Sequence, residues 1–265
     1  MAQVQATRRQ GSGWRAVLAA GLLGGGALVS SPAYALIDQT WIAAEGSDAA
    51  TCQAMDPCLT LAKAVTMTAT NGTIFVMDSG VYGAATITRP MSIRSEIGRP
   101  VMVAQITLAG GAQDRFVISD VDLEGTATAS GIAYEYGVKV TGALEVLLQN
   151  VGIRYYRAGA ATGVQIVSAY TVRVTLDNST VYANQVGVLV SSNGGAGHLK
   201  LFRSLLLANY DAGVRVVGTG NDVLMAGNNV LGSTKALDLQ TGGVGKSYGN
   251  NTLTSGDIPT SMAMY

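Results

Sequence analysis

The sequence predicts an all-β chain wound as a right-handed parallel β-helix, a single-stranded solenoid with three short strands per turn and an N-terminal capping helix. Three observations carry that prediction. The first is a phrase repeated five times: Gly137-Val138-Lys139-Val140, Gly163-Val164-Gln165-Ile166, Gly187-Val188-Leu189-Val190, Gly213-Val214-Arg215-Val216 and Ala236-Leu237-Asp238-Leu239. Its steps are 26, 24, 26 and 23 residues, a period that signals stacked supersecondary units. Within each copy apolar and variable residues alternate, as in a strand that buries every second side chain. The second observation is another phrase on the same beat, Leu144-Glu145-Val146, Val172-Arg173-Val174 and Leu199-Lys200-Leu201. The third is a polar corner after that phrase, at Asn150, Asn178, Asn229 and Asn251, with Arg203 taking the slot once. Asparagine tolerates the left-handed backbone that a sharp corner needs. A short apolar run follows, as in Val151–Ile153, Ser179–Val181 and Leu205–Leu207. Thirty-four glycines and few aromatics suit such a repetitive architecture better than a doubly wound α/β fold.

Residues 1–35 read as an export signal. Arg8, Arg9 and Arg15 precede a small apolar run, Ala16 to Val29, and Ala33-Tyr34-Ala35 supplies a cleavage site. The run is glycine-broken and too short for a convincing span, so no membrane span is expected in the mature chain. Removing the three arginines leaves 14 Lys+Arg against 17 Asp+Glu, a mature net charge near −3. That balance argues against nucleic acid, which wants a basic footprint, and against anionic lipid.

An N-terminal cap is expected over residues 36–72. Leu36 to Ile42 reads as a strand containing Trp41, and Cys52 and Cys58 as a disulfide, since export leads to an oxidising compartment. A metal site there would need two further ligands, and neither His nor another Cys is near. Leu59, Ala62, Val65 and Ala69 share one helical face, predicting a helix over Leu59 to Ala69 that covers the open end of the core. Residues 73–251 are assigned to the β-helix, with strands at Thr73 to Met77, Ala84 to Thr88, Met91 to Arg94, Val101 to Leu108 and Phe116 to Leu123. Residues 252–265 form a closing cap or tail.

The opening of this repeat region resembles a known group. Pro57-Cys58-Leu59-Thr60-Leu61-Ala62-Lys63-Ala64, then Asp78-Ser79-Gly80-Val81-Tyr82-Gly83, then Ile87-Thr88-Arg89-Pro90-Met91-Ser92-Ile93 is similar to the start of secreted bacterial right-handed β-helix repeat proteins of the broad pectin-lyase-like class. The resemblance implies the fold and export. It says little about reaction, because members mostly lack an assigned activity.

In polysaccharide lyases and hydrolases of that class, the cleft lies along one parallel sheet and its flanking loops. Here the matching outward column is Lys139, Gln165, Leu189, Arg215 and Asp238, with Arg215 in reach of Asp238. Loops entering the same strands bring Tyr134, Glu135 and Tyr136, then Tyr155, Tyr156 and Arg157, then Tyr182 with Asn184, and Asn209 with Tyr210 and Asp211. Tyrosine rings stack on pyranose faces while amides, carboxylates and guanidinium groups bond hydroxyls, so this strip suits a sugar chain. The competing reading is ordinary polar surface, since outward strand positions are polar anyway.

A second cluster, Asp120, Asp122 and Glu124, would align three carboxylates if the strand were extended, with neighbours ~6.8 Å apart. That spacing fits inverting glycosidases, or Ca²⁺. Asp120 takes the corner slot of Asn150, which predicts a corner or solvated face, away from the tyrosines. Asp211 and Lys235 are expected to form a surface ion pair, and His198, the sole histidine, to be a turn residue before the Leu199 strand.

Neither the paired aspartates and Asn-Thr-Asp-Gly of polygalacturonases nor the Arg-x-Pro-x-x-Arg of pectate lyases occurs. No catalytic residue carries over; Lys139 or Arg215 is a bare candidate base for β-elimination. The expected function is therefore a non-catalytic exported β-helix, periplasmic, extracellular or on the cell surface, presenting a repetitive face to polysaccharide or a cell-surface partner. The alternatives are a lyase or hydrolase acting on acidic polysaccharide, and a purely structural surface component. No cofactor is expected beyond a weak case for Ca²⁺.

Overall fold

The computed structural model describes residues 36–126, 133–192 and 194–262, so the predicted export signal lies outside the described residues. One complete turn shows the plan. Tyr136–Gly142 lies on a first face, Glu145–Gln149 on a second and Gly152–Arg154 on a third, and Thr162–Ile166 returns to the first. Each strand pairs in parallel with its equivalent one turn on. The fold is the right-handed parallel β-helix expected from the repeats.

Register explains the repeated phrases. Val138, Val164, Val188, Val214 and Leu237 form one ladder, and Val140, Ile166, Val190, Val216 and Leu239 the next. On the second face Val146, Val174, Leu199 and Val223 stack, and on the third Leu123, Ile153, Val181, Leu206 and Val230. Nearly all are fully buried. Each such side chain contributes roughly 1.5–3 kcal/mol of burial.

The glycine that opens each phrase has a packing cause. A Cβ at Gly163 would lie 2.7 Å from the Gly187 carbonyl oxygen, and one at Gly187 would lie 2.4 Å from that of Gly213. Each glycine thus makes room for the one in the next turn. The last copy of the phrase carries Ala236 instead, and the chain that stacks beyond it is Ser255-Gly256-Asp257, with Gly256 bridging Leu237.

Two left-handed corners recur in every regular turn. The first holds Asp120, Asn150, Asn178, Arg203 and Gly227, at φ 57, 52, 47, 47 and 68°. Asn229 and Asn251 therefore do not occupy it, contrary to expectation. Asn229 opens a strand, and Asn251 belongs to an inner ladder one residue further on. There the amides of Ser179, Ser204 and Asn228 donate to Ser204 Oγ, Asn228 Oδ1 and Asn251 Oδ1 of the following turn. Turning the corner aims these N–H groups along the solenoid axis, and a polar side chain answers each, as a buried donor requires. The second corner, at Tyr155, Ala183, Ala208 and Gly232, is left-handed too (φ 64, 56, 51 and 67°).

The first turns differ. Val101–Ala109 runs unbroken across two faces, pairing first with Asp122–Glu124 and then with Tyr136–Gly142. This is why residues 97–136 lack the later rhythm. Before them, Cys52 and Cys58 are joined, and the helix spans Leu61–Met67 with Leu61, Ala64, Val65 and Met67 buried. It is shorter than predicted at both ends. Thr60 is the N-cap, accepting from the Lys63 amide, and Thr68 already has extended backbone and starts the strand Thr68–Val76. At the other end Thr252–Leu253 and Thr260–Ser261 pair onto the preceding turn, continuing the coil. Among the described residues no helix is long and apolar enough to cross a membrane.

Candidate functional site

The outward column of the first face forms in the predicted register: Lys139, Gln165, Leu189, Arg215 and Asp238 are direct neighbours, with Thr107 before them. Its two ends have different surroundings. At the far end Arg215 Nε donates to Asp238 Oδ2 at 2.6 Å and its Nη2 donates to Asp211 Oδ2 at 2.8 Å. Lys235 Nζ and Gln240 Nε2 also donate to Asp238, both at 2.7 Å. Asp238 is only 1% exposed. Burial alone would raise its carboxyl, but Lys235, Arg215 and Gln240 together hold it below the ordinary carboxylate range. Burial pulls Arg215 down, yet the two aspartates more than offset it. The expected Asp211–Lys235 side-chain pair does not form: these residues meet only through the backbone, because Asp238 captures the ammonium.

At the near end the same column is open. Lys139 lines a groove of about 510 Å³ with Glu135, Tyr136 and Gln165, walled by the Gly159-Ala160-Ala161 loop. Its Nζ stands 5.2 Å from the Tyr136 ring centroid, and no carboxylate pairs with it among the described residues. Tyr136 is fixed by a 2.8 Å hydrogen bond between its hydroxyl and Thr107 Oγ1. The Glu135 amide donates to Gln105 Oε1, which holds the loop and leaves the Glu135 side chain exposed.

A second groove of about 590 Å³ adjoins the first, sharing Ala133 and Ala158 and lined also by Glu124, Tyr155 and Arg157. Here the guanidinium of Arg157 lies 4.8 Å from the Tyr155 ring and 5.2 Å from that of Tyr210, which is 54% exposed. Tyr155 meets Tyr182 edge-on at 5.5 Å. Burial, followed by the Tyr155 contact, raises the Tyr182 hydroxyl above its usual value, so it stays protonated. A cation sandwiched between rings beside a groove is a surface on which a sugar can stack and bond.

Five of the predicted strip residues are not surface groups: Tyr134, Tyr156, Asn184, Asn209 and Asp238 are all buried. Tyr156 is fully buried, and its hydroxyl donates to the Ala104 carbonyl at 2.6 Å. Asn184 is fully buried as well. Its Oδ1 accepts from the Tyr156 amide, and its Nδ2 donates to the Ile153 carbonyl and to Asn209 Oδ1. Both stand one residue past the second corner, where side chains point inward. The signal for this was present in the 25-residue step from Asn184 to Asn209, which matches the repeat.

The carboxylate trio does not converge. Asp120 is at a left-handed corner, where its Oδ1 accepts from Asn150 Nδ2. The extended geometry that would align all three is therefore absent. Asp122 and Glu124 share a face, but guanidinium groups occupy them. Arg154 Nη1 reaches Asp122 at 2.8 Å, its Nε reaches Glu124 at 2.9 Å, and Arg99 also pairs with Asp122. These groups fit neither a Ca²⁺ ligand set nor an acid–base pair with room for a water. The pair also lies on the tyrosine side, since Glu124, Arg154 and Tyr182 are in register. His198 is likewise not a turn residue: it sits in the strand Gly197–Phe202 and its Nδ1 is 3.0 Å from Asp222 Oδ1.

Comparison with known proteins adds fold information only. No family model matches the sequence, and no curated protein is similar to it. A solved rhamnogalacturonan lyase is similar in structure at TM-score 0.52 and 11% identity, over 80% of this chain and 67% of that one. A pectate lyase is similar at TM-score 0.39 and 12% identity, over 88% and 82%. At such identity the likeness to the rhamnogalacturonan lyase speaks to the fold alone, a parallel β-helix.

Proposed function

We propose that the protein binds an acidic polysaccharide across the two adjoining grooves and cleaves it by β-elimination, with Lys139 as the base. The observation that carries this reading is the contrast within one column. Of the two candidate bases, Arg215 is held by two aspartates, whereas Lys139 faces a groove without a carboxylate partner. In the neutral amine form Lys139 can take the proton α to a uronate carboxyl. The electron pair then forms the C4–C5 double bond, the C4–O bond to the next sugar breaks, and the departing oxygen takes a proton from water. Arg157, in the adjoining groove, supplies positive charge for a second carboxylate. The structural likeness to a rhamnogalacturonan lyase supports this over the non-catalytic role expected from the sequence. Hydrolysis is less well supported, because Asp122 and Glu124 are committed to arginines. The Cys52–Cys58 bridge and the signal-like first 35 residues support action outside the cytoplasm.

The test is incubation with polygalacturonate and rhamnogalacturonan while following ultraviolet absorbance from unsaturated uronates. The reading expects a rise that Lys139→Ala reduces at least about a hundredfold, a typical loss for a general base. An equal rate in that variant would refute Lys139 as base. A second reading, glycan binding without cleavage, is favoured by the Tyr155–Arg157–Tyr210 stack, which needs no catalyst. Binding without any absorbance change would select it.

A further inference from the structure

The second face of the solenoid carries chemistry that the grooves above do not use. Two outward columns run side by side there. Glu145, Arg173, His198 and Asp222 stand in register in one, and Thr175, Lys200, Leu224 and Lys246 in the other. Arg173, His198, Lys200, Asp222 and Lys246 line a groove of about 340 Å³, with Leu224 and Met262 as its apolar surface.

The charges in this groove do not cancel. Asp222 is its lone carboxylate and is shared, accepting from Lys246 Nζ at 2.9 Å and meeting His198 Nδ1 at 3.0 Å. Arg173 and Lys200 have no carboxylate partner among the described residues. Three cations (Arg173, Lys200, Lys246) less one carboxylate leave +2 with the histidine neutral. On a chain with a mature charge near −3, this is a local excess of the opposite sign.

We propose that this groove is a second binding surface, for a carboxylated glycan chain lying across the turns. Two features select that occupant. The cations do not converge on one point; Arg173 and Lys200 are on adjacent turns and Lys246 two turns beyond, at ~4.8 Å per turn, which suits a polyanion better than a single phosphate. Arg173 is exposed, and the Lys246 and His198 side chains are 40% and 34% exposed, so these charges are open to a chain laid along the groove. Leu224 and Met262 offer the apolar contact that a sugar ring takes. The surface is on a different face from Lys139, so its role stands apart from the cleavage reaction.

The full chain carrying Lys139→Ala, which cannot turn substrate over under the reading above, is titrated by calorimetry with polygalacturonate, neutral dextran and phosphatidylserine vesicles. Adding Arg173→Ser with Lys200→Ser is expected to weaken polygalacturonate binding about tenfold, with a matching loss of salt sensitivity. Both residues point outward, and an unchanged circular dichroism spectrum checks that the double variant folds. If it does not, Arg173→Gln with Lys200→Gln keeps the side-chain volume and serves instead. Unchanged polygalacturonate affinity, equal binding of dextran, or preferential binding of vesicles would overturn the proposal. Because the readout is binding, it survives or fails whether or not the protein is a lyase.

Discussion

Lys139 and Arg215 occupy the same outward slot three turns apart, yet the chain treats them oppositely. Around Arg215 the neighbouring turns contribute Asp211, Lys235, Asp238 and Gln240, and the cluster closes on itself. Around Lys139 the neighbours are Thr107, Tyr136 and Gln165, and a loop stands back to leave a groove. A periodic fold offers every slot the same backbone. What becomes structure and what becomes site is set by the side chains one turn away.

The contrast breaks most visibly if the inner scaffold beneath the open end is cut. Asn184→Ala leaves the buried Tyr156 amide without its side-chain acceptor and removes the bond to the Ile153 carbonyl. It is expected to cost about 3 kcal/mol, read from the urea midpoint. A loss below about 0.5 kcal/mol would mean that the ladder is ornamental.

At the closed end, Arg215→Ala strips one partner from a buried carboxylate while Lys235 and Gln240 remain, so the expected loss is about 2 kcal/mol. Lys139→Ala at the open end should change stability by less than about 0.5 kcal/mol. Equal losses for the two variants would erase the distinction. Acid sharpens it. The folded-state value for Asp238 is depressed, so its stabilisation is present above the unfolded value near ~3.9 and is lost as pH falls through the folded value. The stability gap between wild type and Asp238→Asn should therefore shrink below about pH 4 in pH-dependent denaturation; a gap that widens on acidification would contradict the assignment.

The smallest expected effect is at the rim. Tyr210→Ala removes one ring from the Arg157 stack and is expected to weaken glycan binding by about 1 kcal/mol, roughly fivefold, by calorimetry. No change would take Tyr210 out of the site.

Much of this was legible in the sequence, because a solenoid writes its core as a repeat. The Val ladders, the outward column and its Arg215–Asp238 contact followed from period and alternation alone. The corners were harder. Asn150 and Asn178 mark the first, but Gly227 fills the same slot where Asn229 looked equivalent. A turn that gains or loses a residue shifts the register of look-alikes. The second corner uses Tyr155, Ala183 and Ala208, residues with no left-handed preference, so the step from Asn184 to Asn209, one residue on, was its signal. Missing it placed Tyr156 and Asn184 on the surface, when one residue past a corner is an inward position. The occupation of Asp122 and Glu124 by arginines was invisible for another reason: Arg99 and Arg154 come from turns whose lengths differ, and charge partners across turns have no fixed offset.

The mass of the fragments released from polygalacturonate tests the central claim most directly. Elimination by Lys139 predicts oligomers ending in a 4,5-unsaturated uronate, each one water lighter than its hydrolytic counterpart, and none from Lys139→Ala. Fragments of hydrolytic mass, or an intact polymer after prolonged incubation, would contradict it.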